Sequence, residues 1–199
     1  MYHFFVEPHQ IGAEEIRIEG ADVNHIRNVL RMKPGEEILI SSREGGDYFC
    51  RVEELEPEYV SAKILEEWEN KELPARIHLF QGLPKGDKME LIIQKAVELG
   101  AYRVVPVSMK RSVVKLDAKK ADAKRKRWNA VSESAAKQSK RSLIPEVAPL
   151  MTYKEAVKEA AGYDMVLLPY ESADGIRKTR ELLASVKPGT DIAVFIGPE

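Results

Sequence analysis

Two stretches of the sequence place small or rigid residues directly after apolar runs that are typical of buried strands. One run passes through Val166 into LLPYES, and the other passes through Val194 into FIGPE at residues 195–199. In an open α/β sheet, ligands bind beyond the carboxyl ends of the strands. Glycine and proline at such a point leave backbone N–H and C=O groups uncovered, which suits a flat adenine or ribose. Because many strands end in Gly-Pro only to turn, the pattern indicates a site without identifying its ligand.

Several enzyme classes are disfavoured because their signatures are missing from the sequence. The stretch GLPKGDK at residues 82–88 lacks the GxxxxGK[ST] spacing of a phosphate-binding loop, and no GxGxxG follows a strand. No GxSxG nucleophile elbow is present either. The single cysteine, Cys50, excludes an internal disulfide and a multi-cysteine zinc site, and the four histidines lack close ligand spacing. We therefore expect no bound metal.

The segment from Lys110 to Arg141 is strongly basic, although the whole chain has a net charge of −1. It holds 12 Lys and Arg against 3 Asp and Glu, which gives +9 locally and −10 for the remaining residues. This contrast favours a polyanionic partner, with a solvated helix face as the alternative. Roughly half of the consecutive positions 124–127 can face a phosphate backbone, because neighbouring residues of a helix point in different directions. The candidates for these contacts are Lys124, Arg125 and Arg127.

Residues 1–73 have the pattern of a small β-rich domain. Apolar-rich runs typical of strands occupy residues 1–6, 36–42, 47–55 and 58–68. Gly45 and Gly46 between two of these runs predict a hairpin. A short helix is expected at residues 21–32 with Asp22 as its N-cap. Its apolar face is predicted to consist of Val23, Ile26, Val29 and Leu30. Short strands with one helix favour a small closed barrel.

The charge of this first domain limits how it can bind a polyanion. Between Met1 and Ala75 there are 8 basic and 17 acidic residues, a net charge of −9. Binding through bulk charge is therefore excluded, and a local patch is required. Arg27 and Arg31 lie one helical turn apart on the polar side of the short helix, so we predict that they are its contacts to a phosphate backbone if the partner is a nucleic acid.

Residues 74–199 alternate between strand and helix patterns. Apolar strand-like runs occupy residues 75–82, 103–109, 163–170 and 191–197, and helical patterns occupy 86–100, 120–141, 151–162 and 172–186. Asp87 and Gly100 are expected to start and stop the first of these helices. Trp128 belongs to an apolar stripe at helical spacing, which favours core packing over a base-stacking platform. The alternation predicts an α/β domain, with a mostly parallel sheet covered by helices on both faces.

Several blocks in this chain resemble the ribosomal RNA small-subunit methyltransferase E family. They are KGDKMELIIQKAVELG, RVVPVSMKRSVVK, KRKRWNAVSESAAKQSKRSLIPEV and FIGPE, with HIRNVLRMKPGEEI in the first domain. The resemblance runs over nearly the whole chain in the same order. It implies a PUA-like β-barrel followed by a SPOUT α/β domain of the trefoil-knot type. It also implies transfer of a methyl group from S-adenosylmethionine to N3 of a uridine in 16S ribosomal RNA, by a homodimer.

The resemblance also implies roles for individual residues. Arg111, in the block MKRSVVK, is expected to stabilise the developing uridine anion, with a surface arginine on a basic loop as the alternative. Glu98 is a candidate proton acceptor, although its surroundings also fit a plain amphipathic helix. Gln138 and Arg141 are expected to approach the target nucleotide. The positions that match the methyl-donor pocket are Leu168, Tyr170, Glu171, Gly197, Pro198 and Glu199.

The family continues beyond the GPE turn with GPEGG, a helix and a second glycine-containing loop, which thread the knot and complete the donor pocket. The present sequence ends at Glu199. From the resemblance we therefore expect the knot segment to be missing from residues 1–199, and donor binding by these residues alone to be weak or absent.

Two other functions fit the residues as well. The chain could be a non-catalytic RNA-binding module, or an α/β enzyme that acts on a nucleotide-like small molecule while its basic segment is merely solvated. Under the leading hypothesis the partner is small-subunit ribosomal RNA or the assembled small subunit. No window approaches the roughly 18 consecutive apolar residues of a membrane helix. The N-terminus lacks a signal-peptide pattern, and a single cysteine fits a reducing compartment, so a cytoplasmic location is expected.

Overall fold

The computed structural model describes residues 1–110, 114, 116–170 and 177–198. These residues separate into two compact units. The first consists of Met1–Glu72 and Ala136–Ile144, and the second of Leu73–Ala135 and Pro145–Glu199. No helix in the described part of the chain combines the length and the apolar character needed to cross a membrane.

The first unit is built on a five-stranded sheet that curls as a half-barrel. Its strands are β1 (Tyr2–Val6), β2 (Glu15–Glu19), β3 (Glu37–Ser42), β4 (Asp47–Leu55) and β5 (Tyr59–Trp68). The order is β1-β3-β4-β5-β2, with β1 parallel to β3 and the other neighbours antiparallel. The predicted hairpin between β3 and β4 is confirmed, since Gly45 and Gly46 have φ values of 118° and 97° that suit glycine.

Strand β2 is absent from the sequence-based prediction, which leaves residues 15–19 as a connection. The residues nevertheless alternate, with Ile16 and Ile18 fully buried and Glu15, Arg17 and Glu19 exposed. Such alternation is the mark of a strand that has one face on the core and one face in water. The prediction misses this strand because three of its five residues are charged, so the segment is not recognised as an apolar run.

The predicted short helix exists, but its start and its inner face differ from the prediction. It consists of α1 (Ala21–Asn24) followed by a π-helical turn at His25–Val29. The N-cap is Gly20, and Asp22 lies inside the first turn, so the prediction of Asp22 as N-cap is wrong. Val29 is 61% exposed rather than buried. The wider π turn rotates each residue by a smaller angle, which carries the position three residues after Ile26 away from the core.

The second unit contains a six-stranded sheet in which every neighbouring pair is parallel. Its strands are β6 (Arg76–Gly82), β7 (Arg103–Ser108), β8 (Glu146–Val147), β9 (Met151–Thr152), β10 (Met165–Leu167) and β11 (Asp191–Ile196). The order is β10-β11-β6-β7-β8, and β9 also pairs with β7. The predicted parallel sheet is therefore confirmed.

Four helices in the described residues connect these strands. They are α2 (Lys88–Glu98), α3 (Ala118–Ser139), α4 (Tyr153–Ala160) and α5 (Arg177–Ala184). Asp87 is the N-cap of α2, as predicted. Trp128 on α3 is only 3% exposed, which confirms its predicted place in the core. Asn129 ties α3 to β8, because its side chain exchanges two hydrogen bonds of 3.0 Å with the backbone of Val147.

A polar network holds the amino ends of the central strands together. Arg76 donates to both carboxylate oxygens of Asp191 at 2.7 and 2.6 Å, and His78 Nε2 lies 2.9 Å from the same carboxylate. The hydrogen bonds from Arg76 hold the pKa of Asp191 well below its usual range. Arg103 donates to Glu159 at 2.6 Å and so joins β7 to α4. With the amino ends of β6, β7 and β11 clamped, their opposite ends are held in a defined register.

Candidate functional site

The carboxyl ends of three central strands meet at one edge of the parallel sheet. In the register of the sheet, Gln81 of β6 lies opposite Ile196 of β11 and Pro106 of β7. Gly82 follows Gln81 and lies opposite Val107 of β7. In sheets of this kind the carboxyl edge is where ligands bind.

Gln81 fastens the turn that follows β11 to the end of β6. Its side chain is buried, at 2% exposure, and its Nε2 donates to two backbone carbonyls, those of Gly82 and Gly197, each at 2.9 Å. One amide group therefore satisfies an acceptor on each of two neighbouring strand ends. This uses both amide protons of the glutamine and orients the Gly197 carbonyl toward the sheet.

Gly82 lets this turn come unusually close to β6. A Cβ atom at position 82 would lie 2.9 Å from the Pro198 nitrogen, 3.1 Å from the Gly197 carbonyl carbon and 2.9 Å from Met109 Sδ. Contacts to Cβ below 3.0 Å essentially never occur in proteins. A glycine is therefore needed at position 82 for the turn to pack as it does.

The predicted donor-pocket residues in the described chain lie at this edge. Gly197 is exposed, and a Cβ built on it would meet no atom within 4 Å, so one side of its backbone faces open space. Strand β10 ends at Leu167, opposite Val194 of β11, and the chain then runs through two residues, Leu168 and Tyr170, that are each 69% exposed. An open backbone surface and exposed apolar side chains, each just beyond the carboxyl end of one of two neighbouring strands, fit the adenosine part of a nucleoside ligand.

Three predicted site residues, Arg111, Glu171 and Glu199, lie outside the described residues. Glu98 is described and belongs to α2. Lys95 Nζ donates to it at 2.7 Å and Gln94 donates at 3.0 Å, and the hydrogen bond from Lys95 lowers its pKa. These contacts fit the amphipathic-helix interpretation, and its role as a proton acceptor stays a prediction.

The basic run on α3 forms a set of surface ion pairs. Arg127 Nε lies 2.8 Å from Glu90 on α2, and Arg125 lies 3.7 Å from Asp122. Lys124 Nζ lies 6.0 Å from the centroid of the Trp128 ring. Exposed pairs of this kind contribute only about 0–1 kcal/mol, so a phosphate can replace the carboxylate partner at little cost.

Three of the four remaining predicted RNA contacts are accessible. Arg31 and Gln138 are exposed, and Arg27 is half-buried. Arg141 differs, since it is only 8% exposed and its Nε donates to both oxygens of Glu72, at 2.8 and 2.9 Å. This pair gives Arg141 a structural role inside the first unit, and its contact with RNA stays a prediction.

Sequence reasoning misses the two residues that shape the edge, Gln81 and Gly82. A signal for Gln81 exists, because a polar residue stands at the end of the apolar strand IHLFQG. Among residues 1–110, 114, 116–170 and 177–198, no group of three or more His, Cys, Asp or Glu side chains is arranged to hold a metal ion.

Comparison with known proteins assigns both units to described families. A model of an RNA methyltransferase domain matches residues 71–199, and a model of an RNA methyltransferase PUA domain matches residues 18–65. Ribosomal RNA small subunit methyltransferase E from Bacillus subtilis (strain 168) is 36% identical over 207 residues, covering 100% of this chain and 80% of that protein.

Solved structures show the same fold. A crystal structure of a hypothetical protein is 37% identical with a TM-score of 0.91, covering 99% of this chain and 80% of the other. The Neisseria gonorrhoeae ribosomal RNA small subunit methyltransferase E, bound to S-adenosyl methionine, is 30% identical with a TM-score of 0.78. That match covers 100% of this chain and 80% of the other.

Proposed function

This chain belongs to the ribosomal RNA small subunit methyltransferase E family, and we propose that it transfers a methyl group from S-adenosylmethionine to N3 of a uridine in 16S ribosomal RNA. The observation that carries the proposal is the edge at which Gln81 and Gly82 hold the Gly197–Pro198 turn. The edge provides a flat, open backbone surface in a chain whose relative from Neisseria gonorrhoeae binds the methyl donor.

The donor supplies an electrophilic methyl group on a positively charged sulfur. We assign its adenosine part to the surface formed by Leu168, Tyr170, Gly197 and Pro198, with Glu171 and Glu199 completing the site. The open side of the Gly197 backbone and the two exposed side chains support this assignment. Gln81 contributes by holding the Gly197 carbonyl in place rather than by touching the ligand.

The nucleophile has to lose a proton before it can attack. N3 of uridine carries a hydrogen, and the nitrogen becomes a useful nucleophile only as that hydrogen leaves. A cation beside the base favours the developing negative charge, which is the role we propose for Arg111. Holding the two reacting atoms in line about 3 Å apart removes several kcal/mol of entropic cost from the barrier.

RNA binding is divided between two proposed domains. Residues 74–199 form a SPOUT-type methyltransferase domain of the trefoil-knot class that contacts phosphate through Lys124, Arg125 and Arg127. Residues 1–73 form a PUA-like barrel that contacts RNA through Arg27 and Arg31. Gln138 lies toward the target nucleotide, and the active form is a cytoplasmic homodimer acting on ribosomal RNA or the assembled small subunit. The accessibility of these basic side chains supports the assignment.

Methyl transfer tests this function directly. Incubation of the full-length gene product with tritiated donor and small-subunit ribosomal RNA is expected to label the RNA, and digestion to nucleosides should release 3-methyluridine. Arg111→Ala should lower kcat by about 10²–10³, the usual effect of removing one stabiliser of a developing anion, while Lys154→Ala on α4 serves as a control that also removes one exposed positive charge. RNA binding without methyl transfer would favour a binding module, and unchanged kcat in Arg111→Ala would remove that residue from the mechanism.

A further inference from the structure

Two helices are each followed, within the first unit, by a basic residue with a left-handed backbone. Arg31, after the π-helical turn, has φ 53°, and Lys140, after α3, has φ 55°. They are the only non-glycine residues with positive φ in the described part of the chain. The Cβ atom makes this conformation unfavourable, so a helix normally leaves through glycine or asparagine at such a position.

The chain itself shows the more usual solution at another helix end. After α3, the Arg141 N–H donates to the Ala136 carbonyl at 3.0 Å across the left-handed Lys140. After α2 the equivalent bond closes at 2.9 Å, and the left-handed position is Gly100, with φ 96°. The same closing motif thus has glycine at the left-handed position after one helix and lysine after the other. Because lysine is unfavourable in this conformation, its presence there indicates a role other than closing the helix.

Favourable interaction with the helix dipole does not provide that explanation. A cation near the carboxyl end of a helix is stabilising, but the effect falls off beyond the last turn. Lys137 already occupies the last turn of α3, and Arg27 occupies that of the π-helical segment. Lys140 and Arg31 are additional cations beyond those turns, and both are exposed.

We propose that Lys140, together with Arg31, binds the phosphate backbone of the RNA substrate, and that both positions keep a basic side chain at the expense of backbone strain. The proposal rests on the RNA-directed function given above and adds Lys140 as a binding residue. The first unit, residues 1–72 with 136–144, holds 11 Lys and Arg against 17 Asp and Glu, a net charge of −6, so its bulk charge repels phosphate and binding requires individual exposed cations. The left-handed turn presents Lys140 to solvent while it directs the next residue, Arg141, inward to Glu72.

Substitution by glycine separates the effect of the strained backbone on stability from the effect of the basic side chain on RNA binding. Lys140→Gly removes the strain, so the protein should unfold about 2–4 °C higher than the wild type. The same variant should bind a transcript of small-subunit ribosomal RNA about 3- to 10-fold more weakly at low salt. The slope of log affinity against log salt should fall by about 1, which corresponds to one lost phosphate contact. Arg31→Gly should behave in the same way.

Lys158→Ala is the matched control, because it removes one exposed positive charge from an ordinary helical position on α4. Its RNA affinity and salt slope should equal those of the wild type, and Lys140→Arg should keep the affinity. If Lys140→Gly retains wild-type affinity and slope, or if Lys158→Ala weakens binding equally, the inference is overturned. Failure of the wild type to methylate RNA would instead overturn the proposed function, so the two failures are distinguishable.

Discussion

An alanine at position 82 would place a methyl group inside the contact between β6 and the turn after β11. Its Cβ would lie 2.9 Å from Met109 Sδ, 2.9 Å from the Pro198 nitrogen and 3.1 Å from the Gly197 carbonyl carbon. The sulfur is the far end of a flexible side chain and can move aside. The other two atoms are backbone, so they can retreat only if the whole turn moves.

The size of the effect follows from these distances. Ordinary contacts to a Cβ begin at 3.4 Å, so the turn has to retreat by about 0.5 Å. The hydrogen bond from Gln81 to the Gly197 carbonyl, now 2.9 Å, would then stretch to the limit of a useful bond. Overpacking costs about 1–3 kcal/mol and the weakened hydrogen bond about 1 kcal/mol. We therefore expect Gly82→Ala to lower the free energy of unfolding by about 2–3 kcal/mol.

Thermal unfolding and methyl-transfer kinetics measure the two consequences. A loss of 2–3 kcal/mol corresponds to a Tm about 4–12 °C lower in a chain of this length. Displacement of the turn should also raise the KM for S-adenosylmethionine, by about tenfold if 1.4 kcal/mol of donor binding is lost. The kinetic readout is needed because destabilisation alone would leave KM unchanged at a temperature where the variant is folded.

Gly162→Ala is the control for this experiment. A Cβ at position 162 would lie 3.5 Å from its nearest neighbour, the Glu159 carbonyl oxygen, which is an ordinary contact. Its Tm should therefore stay close to that of the wild type. A Gly82→Ala protein with wild-type Tm and wild-type KM would show that the turn does not pack against β6 as described.

Two further predictions concern buried polar groups. Gln81→Met keeps the shape of the side chain but leaves the carbonyls of Gly82 and Gly197 without their donor, so KM for the donor should rise about tenfold while kcat stays within about twofold. Burial lowers the pKa of His3 to about 4, below that of the unfolded chain. The unfolded state therefore binds more protons as the pH falls. The free energy of unfolding is expected to be highest above pH 6.5 and to decrease by up to about 3 kcal/mol between pH 6.5 and pH 4. Chemical denaturation at pH 7.5 and 5 should show this loss, and His3→Gln should flatten it. Equal pH dependence in both proteins would contradict the assignment.

The architecture of the second unit follows closely from the sequence because its central strands β6, β7 and β11 are largely buried on both faces. Such strands appear as short apolar runs between helical patterns, and this alternation predicts a parallel sheet. The first unit is harder, because β2 and the short helix have only one face on the core. In the short helix, local backbone geometry determines which residues face the core. A π-helical turn changes the helical period and exposes Val29, although no proline or glycine in that turn indicates the change.

The candidate site could be predicted only in part, because one of its defining contacts joins two residues that are far apart in the sequence. The strand ends FIGPE and LLPYES contain recognisable turn residues, so the edge of the sheet can be anticipated from sequence. Gln81 and Gly197 are 116 positions apart, and they meet only because β6 and β11 are neighbours in one particular register. A shift of that register by one residue would turn Gln81 to the opposite face of the sheet and place its amide away from the turn. The tertiary register therefore creates this part of the site, and a single sequence carries no local signal for it.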